Sequence, residues 1–197
     1  MTLLGLTGGI GTGKSYVASL MRGMGIPTYD SDSRAKWLMQ NDASLKSALT
    51  ALVGEGLYGE DGMMDRKLMA AYIFADDAGQ RAVESLVHPA VKCDFKAWTD
   101  EQESEFAVFE SAILFESGFD GCVDFTVVVD APLETRIRRC MERDGASRAE
   151  VESRMACQMS QQDKLRLARF VITNDGKTDL NMQILSLLEE CKLNNKQ

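Results

Sequence analysis

One stretch near the amino terminus restricts the possible folds more than any other: Gly8-Gly9-Ile10-Gly11-Thr12-Gly13-Lys14-Ser15. It matches G-x-x-x-x-G-K-[ST], whose mechanics need a strand before it and a helix after it. Thr2-Leu3-Leu4-Gly5-Leu6 reads as a short apolar strand. Ser15 to Met21 reads as a helix, with Val17, Leu20, Met21 and Met24 at three- and four-residue spacing on one face. Glycines let the backbone curl so that successive N–H groups converge where a Cβ would block a phosphate. The helix N-terminus adds partial positive charge at the same point. Lys14 then reaches the β- and γ-phosphates as a point charge, and the Ser15 hydroxyl is a Mg²⁺ ligand. The alternative is a glycine-rich turn with no ligand; the flanking strand and helix favour a triphosphate site.

The chain of 197 residues is long enough for one domain, or one domain with an inserted lobe. Its 45% hydrophobic and 26% charged content are those of a soluble globular protein. No apolar run approaches the roughly 20 residues that span a bilayer, and no basic n-region marks a signal peptide, so no membrane association is expected. Cys93, Cys122, Cys140, Cys157 and Cys191 are odd in number and scattered, as reduced thiols of a cytoplasmic chain would be. A single histidine, His88, leaves little scope for a histidine-based metal site or a Ser-His-Asp triad. A net charge of −8 argues against a nucleic-acid partner. Yet Arg136, Arg138, Arg139, Arg143, Arg148, Arg154, Arg166 and Arg169 crowd into one segment, which suggests a local polyanion site.

Beyond the first helix, Gly25 to Tyr29 reads as a second strand, with Pro27 confining it to an edge or a strand start. Asp30-Ser31-Asp32-Ser33 follows, opening a helix through Ala35, Leu38 and Met39. These acids either cap that helix or form a carboxylate pair beside the phosphate loop. From Asn41 to about Gln102 the pattern is helical: Leu45, Leu49 and Leu52, then a glycine-rich loop, then Asp65 to Phe74, then Gln80 to Trp98 interrupted at His88-Pro89. Such a block reads as a lobe inserted between strands, or as plain packing. Glu105 to Phe109 and the apolar Phe125 to Asp130 are further strands. A helix from Leu133 to about Arg143 is stopped by Asp144-Gly145, and Ser147-Arg148-Ala149-Glu150 is a capping box for the next. Phe170 to Thr173 is a last strand and Leu180 to Leu188 a closing helix; Asn194 to Gln197 reads as a frayed tail.

Strands alternating with helices give an α/β fold with a mostly parallel five-stranded sheet and ligands at the carboxyl ends of the strands. No N-K-x-D guanine motif is present, and Asp76-Asp77-Ala78-Gly79 matches D-x-x-G only in a helical context, so a GTPase is disfavoured. A motor or ring ATPase is normally longer and has an apolar run ending in Asp-Glu. A small-metabolite kinase fits the length, the insertion and the arginine-bearing helices. Those helices can close as a lid that excludes water and neutralises the transferring phosphoryl group. Arg139 and Arg143, four apart, share a helix face; a solvated face of surface ion pairs is the alternative.

Leu6 to Ser15, Asp30-x-Asp32, Asp65-Arg66 with Leu68 and Ile73-Phe74, and His88-Pro89 together resemble the dephospho-coenzyme A kinase family. So do Leu114-Phe115-Glu116, Arg139-x-x-x-Arg143-Asp144, Gln158 and Ile172-x-Asn174; the similarity runs from about residue 3 to 190. The resemblance implies a P-loop fold like that of nucleoside monophosphate kinases: a core over about 1–40, 103–132 and 168–197, a helical CoA-binding lobe over about 41–102 and a lid over about 133–167. It also implies ATP-dependent phosphorylation of the ribose 3′-hydroxyl of dephospho-CoA, the last step of coenzyme A synthesis, with ATP and Mg²⁺ bound. Asp32 would orient or accept the 3′-hydroxyl proton. Lys14, Arg139 and Arg143 would neutralise the transferring group, and Ser15 would hold Mg²⁺. ATP would lie against Gly9, Gly11, Thr12, Gly13, Lys14, Ser15, Tyr16 and Asn174. Arg66, Phe74, His88 and Glu116 would line the acceptor side, although a helix break alone accounts for His88 equally well.

Two positions depart from the family pattern. Ala112 stands where a proline is frequent, and Arg136 where a glutamine is common early in the lid helix. The rival readings are another small kinase, acting on a nucleoside or a nucleoside monophosphate, and a nucleotide-dependent switch that transfers nothing. An acceptor-side carboxylate such as Asp32 separates a kinase from a switch. No motif specifies the oligomeric state.

Overall fold

The computed structural model describes residues 1–194. Strands β1 (Thr2–Thr7), β2 (Thr28–Asp30), β3 (Phe106–Glu110), β4 (Phe125–Asp130) and β5 (Phe170–Thr173) form one sheet in the order β2-β3-β1-β4-β5. Every pairing is parallel. Parallel strands are buried on both faces, so they carry unbroken apolar runs. All five residues of β3 are buried, and Val127, Val128 and Val129 of β4 have no exposed surface. The expected five-stranded α/β architecture is the observed one.

Two compact units make up the chain: Met1–Asp30 with the segment from Gln102 onward, and Ser31–Glu101. In the first, α1 (Lys14–Gly23) and α9 (Leu180–Asn194) join the sheet in the main core. Val17, Ala18 and Met21 come from α1, and Ile184, Leu187 and Cys191 from α9, against Leu4, Leu6, Val108 and Ile172. Further on, α6 (Leu133–Asp144) and α7 (Arg148–Ala156) form a helical hairpin. Gly145 (φ 65°) closes α6 in the left-handed region that glycine enters without strain, and Ser147 with Glu150 makes the anticipated capping box. Ile137, Cys140 and Val151 form a small separate core there, joined by Ile10 of the phosphate loop. Then α8 (Gln161–Leu167), not foreseen from sequence, packs on β4.

The second unit holds α2 (Ser31–Asn41), α3 (Ala43–Val53), α4 (Arg66–Ala75) and α5 (Asp77–Asp100), and so begins ten residues before the expected lobe. Val83, Val87, Val91 and Phe95 form the buried stripe of α5, against which the other three helices pack. Arg34 of α2 grips Asp94 of α5 in a fork of two hydrogen bonds, 2.9 and 2.5 Å. Asp42, Asp65 and Asp76 each cap a helix through their side chains.

Several boundaries differ from expectation. The helix through His88-Pro89 is not interrupted: Pro89 and Ser85, whose carbonyl it frees, are both exposed, so the lost hydrogen bond falls on the solvent side of α5 rather than in its core. Met24 lies past the end of α1 and is exposed rather than inward. The second strand is only Thr28–Asp30, because Gly25 (φ 82°) is still turning the chain out of α1. Asn194, placed in the tail, belongs to the last turn of α9, where its amide donates to the Glu190 carbonyl. Asn195, Lys196 and Gln197 lie outside the described residues. No helix among the described residues is long and apolar enough to cross a membrane.

Half-buried His88 is held below the usual histidine pKa chiefly by desolvation, with Glu84 opposing and Lys92 adding to the shift. Because the unfolded chain then binds the proton more readily, neutral His88 contributes fully above about pH 6.5 and that contribution is lost as the pH falls below it. A proton NMR titration of this only imidazole is expected to show a midpoint below about 6.5. Urea unfolding should show stability declining from pH 7 towards 5.

Candidate active site

Thr7 ends β1 at the centre of the sheet, where the strand order turns back, which is the crevice that ligands of open α/β sheets occupy. Between Thr7 and α1 the backbone curls back on itself: the Thr12 N–H donates to the Gly9 carbonyl (3.2 Å), and the N–H groups of Tyr16 and Val17 return to the Gly13 carbonyl (3.0 and 3.1 Å). Lys14 and Ser15 open α1, so their amides fall among those that have no partner within the helix. Gly11 (φ 82°) and Gly13 (φ 85°) are glycine for two reasons. Both sit in the left-handed region, and a Cβ would collide with the Arg136 backbone at Gly11 and with the Asn174 amide at Gly13.

A ring of side chains holds the loop from outside. Arg136 of α6, buried, donates from Nε to the Ile10 carbonyl (3.0 Å). Desolvation pulls its pKa down while the nearby Asp130 carboxylate opposes, and a guanidinium stays charged through such a shift. Arg139 donates to the Thr12 carbonyl (3.4 Å) and to the Asn174 carbonyl (3.1 Å). Asn174, just past β5, donates its own amide to the same Thr12 carbonyl at 2.8 Å. From the α8 side, Gln161 Oε1 accepts from Gly9 N (2.9 Å) and Gln158 Oε1 from Ile10 N (3.3 Å). Gln161 Nε2 is fixed in turn by the Val129 carbonyl and the Asp130 carboxylate, at 3.0 and 2.9 Å.

Inside the loop, Lys14 Nζ and Ser15 Oγ both donate to Oε1 of Glu110, each at 2.7 Å, and Arg22 stands 4.0 Å from its other oxygen. Glu110 is buried, 4% exposed, at the end of β3 in register with Leu6. Reading the sequence missed it, although a lone acid closing an apolar strand was a usable signal. Gln161 was missed too; its three-residue spacing from Gln158 and Lys164 shows only once α8 is known.

The expected site residues separate into groups. Gly9, Gly11, Thr12, Gly13, Lys14, Ser15, Arg139 and Asn174 meet at the loop. Tyr16 is in the first turn of α1 with an exposed ring. Arg143 points elsewhere: its exposed guanidinium forks onto Asp144 (2.7 and 3.0 Å), which Arg154 also contacts at 3.0 Å. Those hydrogen bonds and charges hold the Asp144 carboxyl down to about 2. Glu116 accepts from the buried Lys164 ammonium (2.6 Å) and from Met159 N (3.1 Å). Asp32, Arg66, Phe74 and His88 belong to the helical unit: Asp32 in the first turn of α2, Arg66 opening α4, Phe74 84% exposed and His88 midway along α5. Arg148 and Arg166 are likewise paired on the surface, with Glu134, Glu152 and Asp163. The arginine-dense segment is therefore no bare basic patch.

A phosphate loop at the switch point of a parallel sheet, with an arginine-bearing hairpin beside it, defines a P-loop kinase of the small-substrate kind. Shikimate kinase from Aquifex aeolicus shares the fold, with a TM-score of 0.54 at 19% identity over 98% of each chain. A crystal structure of a protein from Thermus thermophilus is more alike: TM-score 0.85, 35% identity, 96% of each chain covered. The model of the dephospho-CoA kinase family, CoaE, matches residues 2–179. A dephospho-CoA kinase from Porphyromonas gingivalis is 46% identical over 190 residues, 96% of this chain and 94% of that one. One from Bacteroides fragilis is 42% identical over 186 residues, 94% and 90%. The chain belongs to the dephospho-CoA kinase family.

Replacing Gly13 by alanine forces a side chain into both the left-handed backbone and the Asn174 amide. Gly13→Ala is expected to lower the unfolding free energy by about 1–2 kcal/mol and to abolish calorimetrically detectable ATP binding in protein that still folds.

Proposed function

We propose that this chain transfers the γ-phosphoryl group of ATP to the ribose 3′-hydroxyl of dephospho-CoA, giving coenzyme A. The observation that carries this reading is the phosphate loop itself, gripped from outside by α6, α8 and Asn174 and presenting Lys14 and Ser15 beside a buried carboxylate, in a chain whose family membership covers nearly its whole length. The expected chemistry is positioning plus charge neutralisation, because the transferring group passes through a loose transition state. Converging main-chain amides and the α1 N-terminus hold the donor phosphates, and Lys14 places a cation against the β- and γ-oxygens. Arg139 acts from its place on the loop; Arg143, exposed on α6, is free of the sheet and is the lid residue suited to meet the transferring group as the hairpin closes. Asp32 orients the acceptor hydroxyl and takes its proton, while Arg66, Phe74 and His88 serve the acceptor from the helical unit.

Ser15 Oγ and the Glu110 carboxylate, 2.7 Å apart, are hard oxygen donors of the type that hold Mg²⁺ together with substrate phosphates. Bound by them, the ion would offset charge on the phosphate oxygens. Five free cysteines suit a cytoplasmic chain.

Offered dephospho-CoA, AMP, shikimate and pantothenate side by side, the enzyme is expected to consume ATP rapidly only with the first; preference for another acceptor would overturn the assignment. Asp32→Asn should keep ATP affinity and lose at least about 100-fold in kcat, and Lys14→Ala should turn over poorly even when ATP is saturating. Glu110→Gln is expected to raise the Mg²⁺ concentration for half-maximal rate by about tenfold, since one ligand loses its charge. An unchanged requirement would remove Glu110 from the metal site.

A further inference from the structure

We propose that the Glu116–Lys164 ion pair is a positioning device for ATP, holding α8 so that Gln158 and Gln161 fix the first half of the phosphate loop. Lys164 has no exposed surface. Its ammonium donates to the Ala112 carbonyl (2.9 Å) and to Glu116 Oε1 (2.6 Å), and that same oxygen accepts from Met159 N at 3.1 Å. Glu116 therefore grips the α8 region at two points, one before the helix and one inside it. Lysine is almost never fully buried without a task, and a buried ion pair is weak evidence for stability, since well-packed apolar residues often do as well or better. An apolar residue at 164 would also seat α8 on β4. What it could not do is set the rotation of the helix.

Rotation is what the neighbouring contacts need. Gln158, Gln161 and Lys164 recur every three residues across the start of α8. With Lys164 anchored on the loop after β3, Gln161, three residues earlier on the same side of α8, accepts from Gly9 N, and Gln158, just before the helix, accepts from Ile10 N. Seven residues make a helix too short to hold itself by propensity, and Ser160 caps only its first turn. The stretch it steadies is the part of the loop in which Gly8, Gly9 and Gly11 leave the backbone least restrained. Lys164 thus acts on ATP affinity through the glutamines, by sparing the nucleotide the cost of ordering the loop. This rests on the nucleotide site assigned above, and it places Glu116 in the support of the donor site.

A thermodynamic cycle tests it, read by calorimetric ATP binding in the absence of any acceptor. Glu116→Gln with Lys164→Met removes both charges together, so no buried charge is left alone to unfold the chain, and the glutamine still accepts from Met159 N. This charge-free pair is expected to raise the ATP dissociation constant by about tenfold, yet by less than about twofold when made in a Gln158→Ala/Gln161→Ala background. A merely structural pair would shift the urea midpoint and leave the two changes additive in ATP affinity; additivity, or unaltered ATP affinity in the charge-free pair, overturns the proposal. Because no acceptor is present, wild-type protein that bound ATP but failed to phosphorylate dephospho-CoA would refute the function reading and leave this inference standing.

Discussion

A phosphate loop has to satisfy two opposing requirements, and the rest of this structure follows from meeting both. From Gly8 to Lys14 it is buried or half-buried, so its carbonyls need donors, yet its amides must remain for an anion. The solution is a division by polarity. Carbonyls of Ile10 and Thr12 take cationic or amide donors from Arg136, Arg139 and Asn174, while the glutamine acceptors Gln161, in α8, and Gln158, just before it, meet amides early in the loop, those of Gly9 and Ile10. The amides that open α1 are left to the helix N-terminus, where its dipole already favours negative charge. Supplying donors to the carbonyls also brings α6 and Asn174 so near that Gly11 and Gly13 have no room for a Cβ. Sequence reasoning assigned those glycines to the phosphate alone; the packing of α6 and Asn174 demands them independently.

That division explains which parts of the site were legible in the chain. The loop, β4, β5 and the Ser147 capping box depend on neighbours in sequence, and all were read at their observed places. Glu110 was not read as functional because its role comes from register: only when β3 pairs with β1, Leu6 opposite Glu110, does its carboxylate reach Lys14 and Ser15. Asn174 was expected at the nucleotide, and it sits 162 positions along the chain from the Thr12 carbonyl that it holds. Proline in an apolar-periodic segment looks like a break, but the stripe of Val83, Val87, Val91 and Phe95 is continuous on the opposite face and carries α5 through it. Tertiary packing outweighed the lost hydrogen bond.

Arginine density was a sound signal with more than one meaning. Arg136 and Arg139 turn inward to backbone carbonyls, whereas Arg143, Arg148, Arg154 and Arg166 pair with acids at the surface. Composition could not divide them. The separation follows from position along α6 rather than from its phase: 136, 139 and 143 share one face, but Arg136 and the half-buried Arg139 lie beside the phosphate loop while Arg143 is in the exposed last turn. Exposed pairs of this sort contribute little to stability and exchange partners readily, whereas Arg136 and Arg139 are committed to carbonyls of the loop.

The two departures from the family pattern have physical readings in the same terms. At 112 the group that matters is the carbonyl that accepts from Lys164, and alanine and proline present a carbonyl alike. At 136 the requirement is a donor to the Ile10 carbonyl, which a glutamine carboxamide also has; arginine reaches it through Nε and keeps its charge near Asp130. What both contacts require is hydrogen-bond polarity at a fixed point, rather than the identity of the side chain that supplies it. By that criterion the least replaceable atoms are those facing the loop from Glu110, where one oxygen serves two donors and burial leaves no water to stand in.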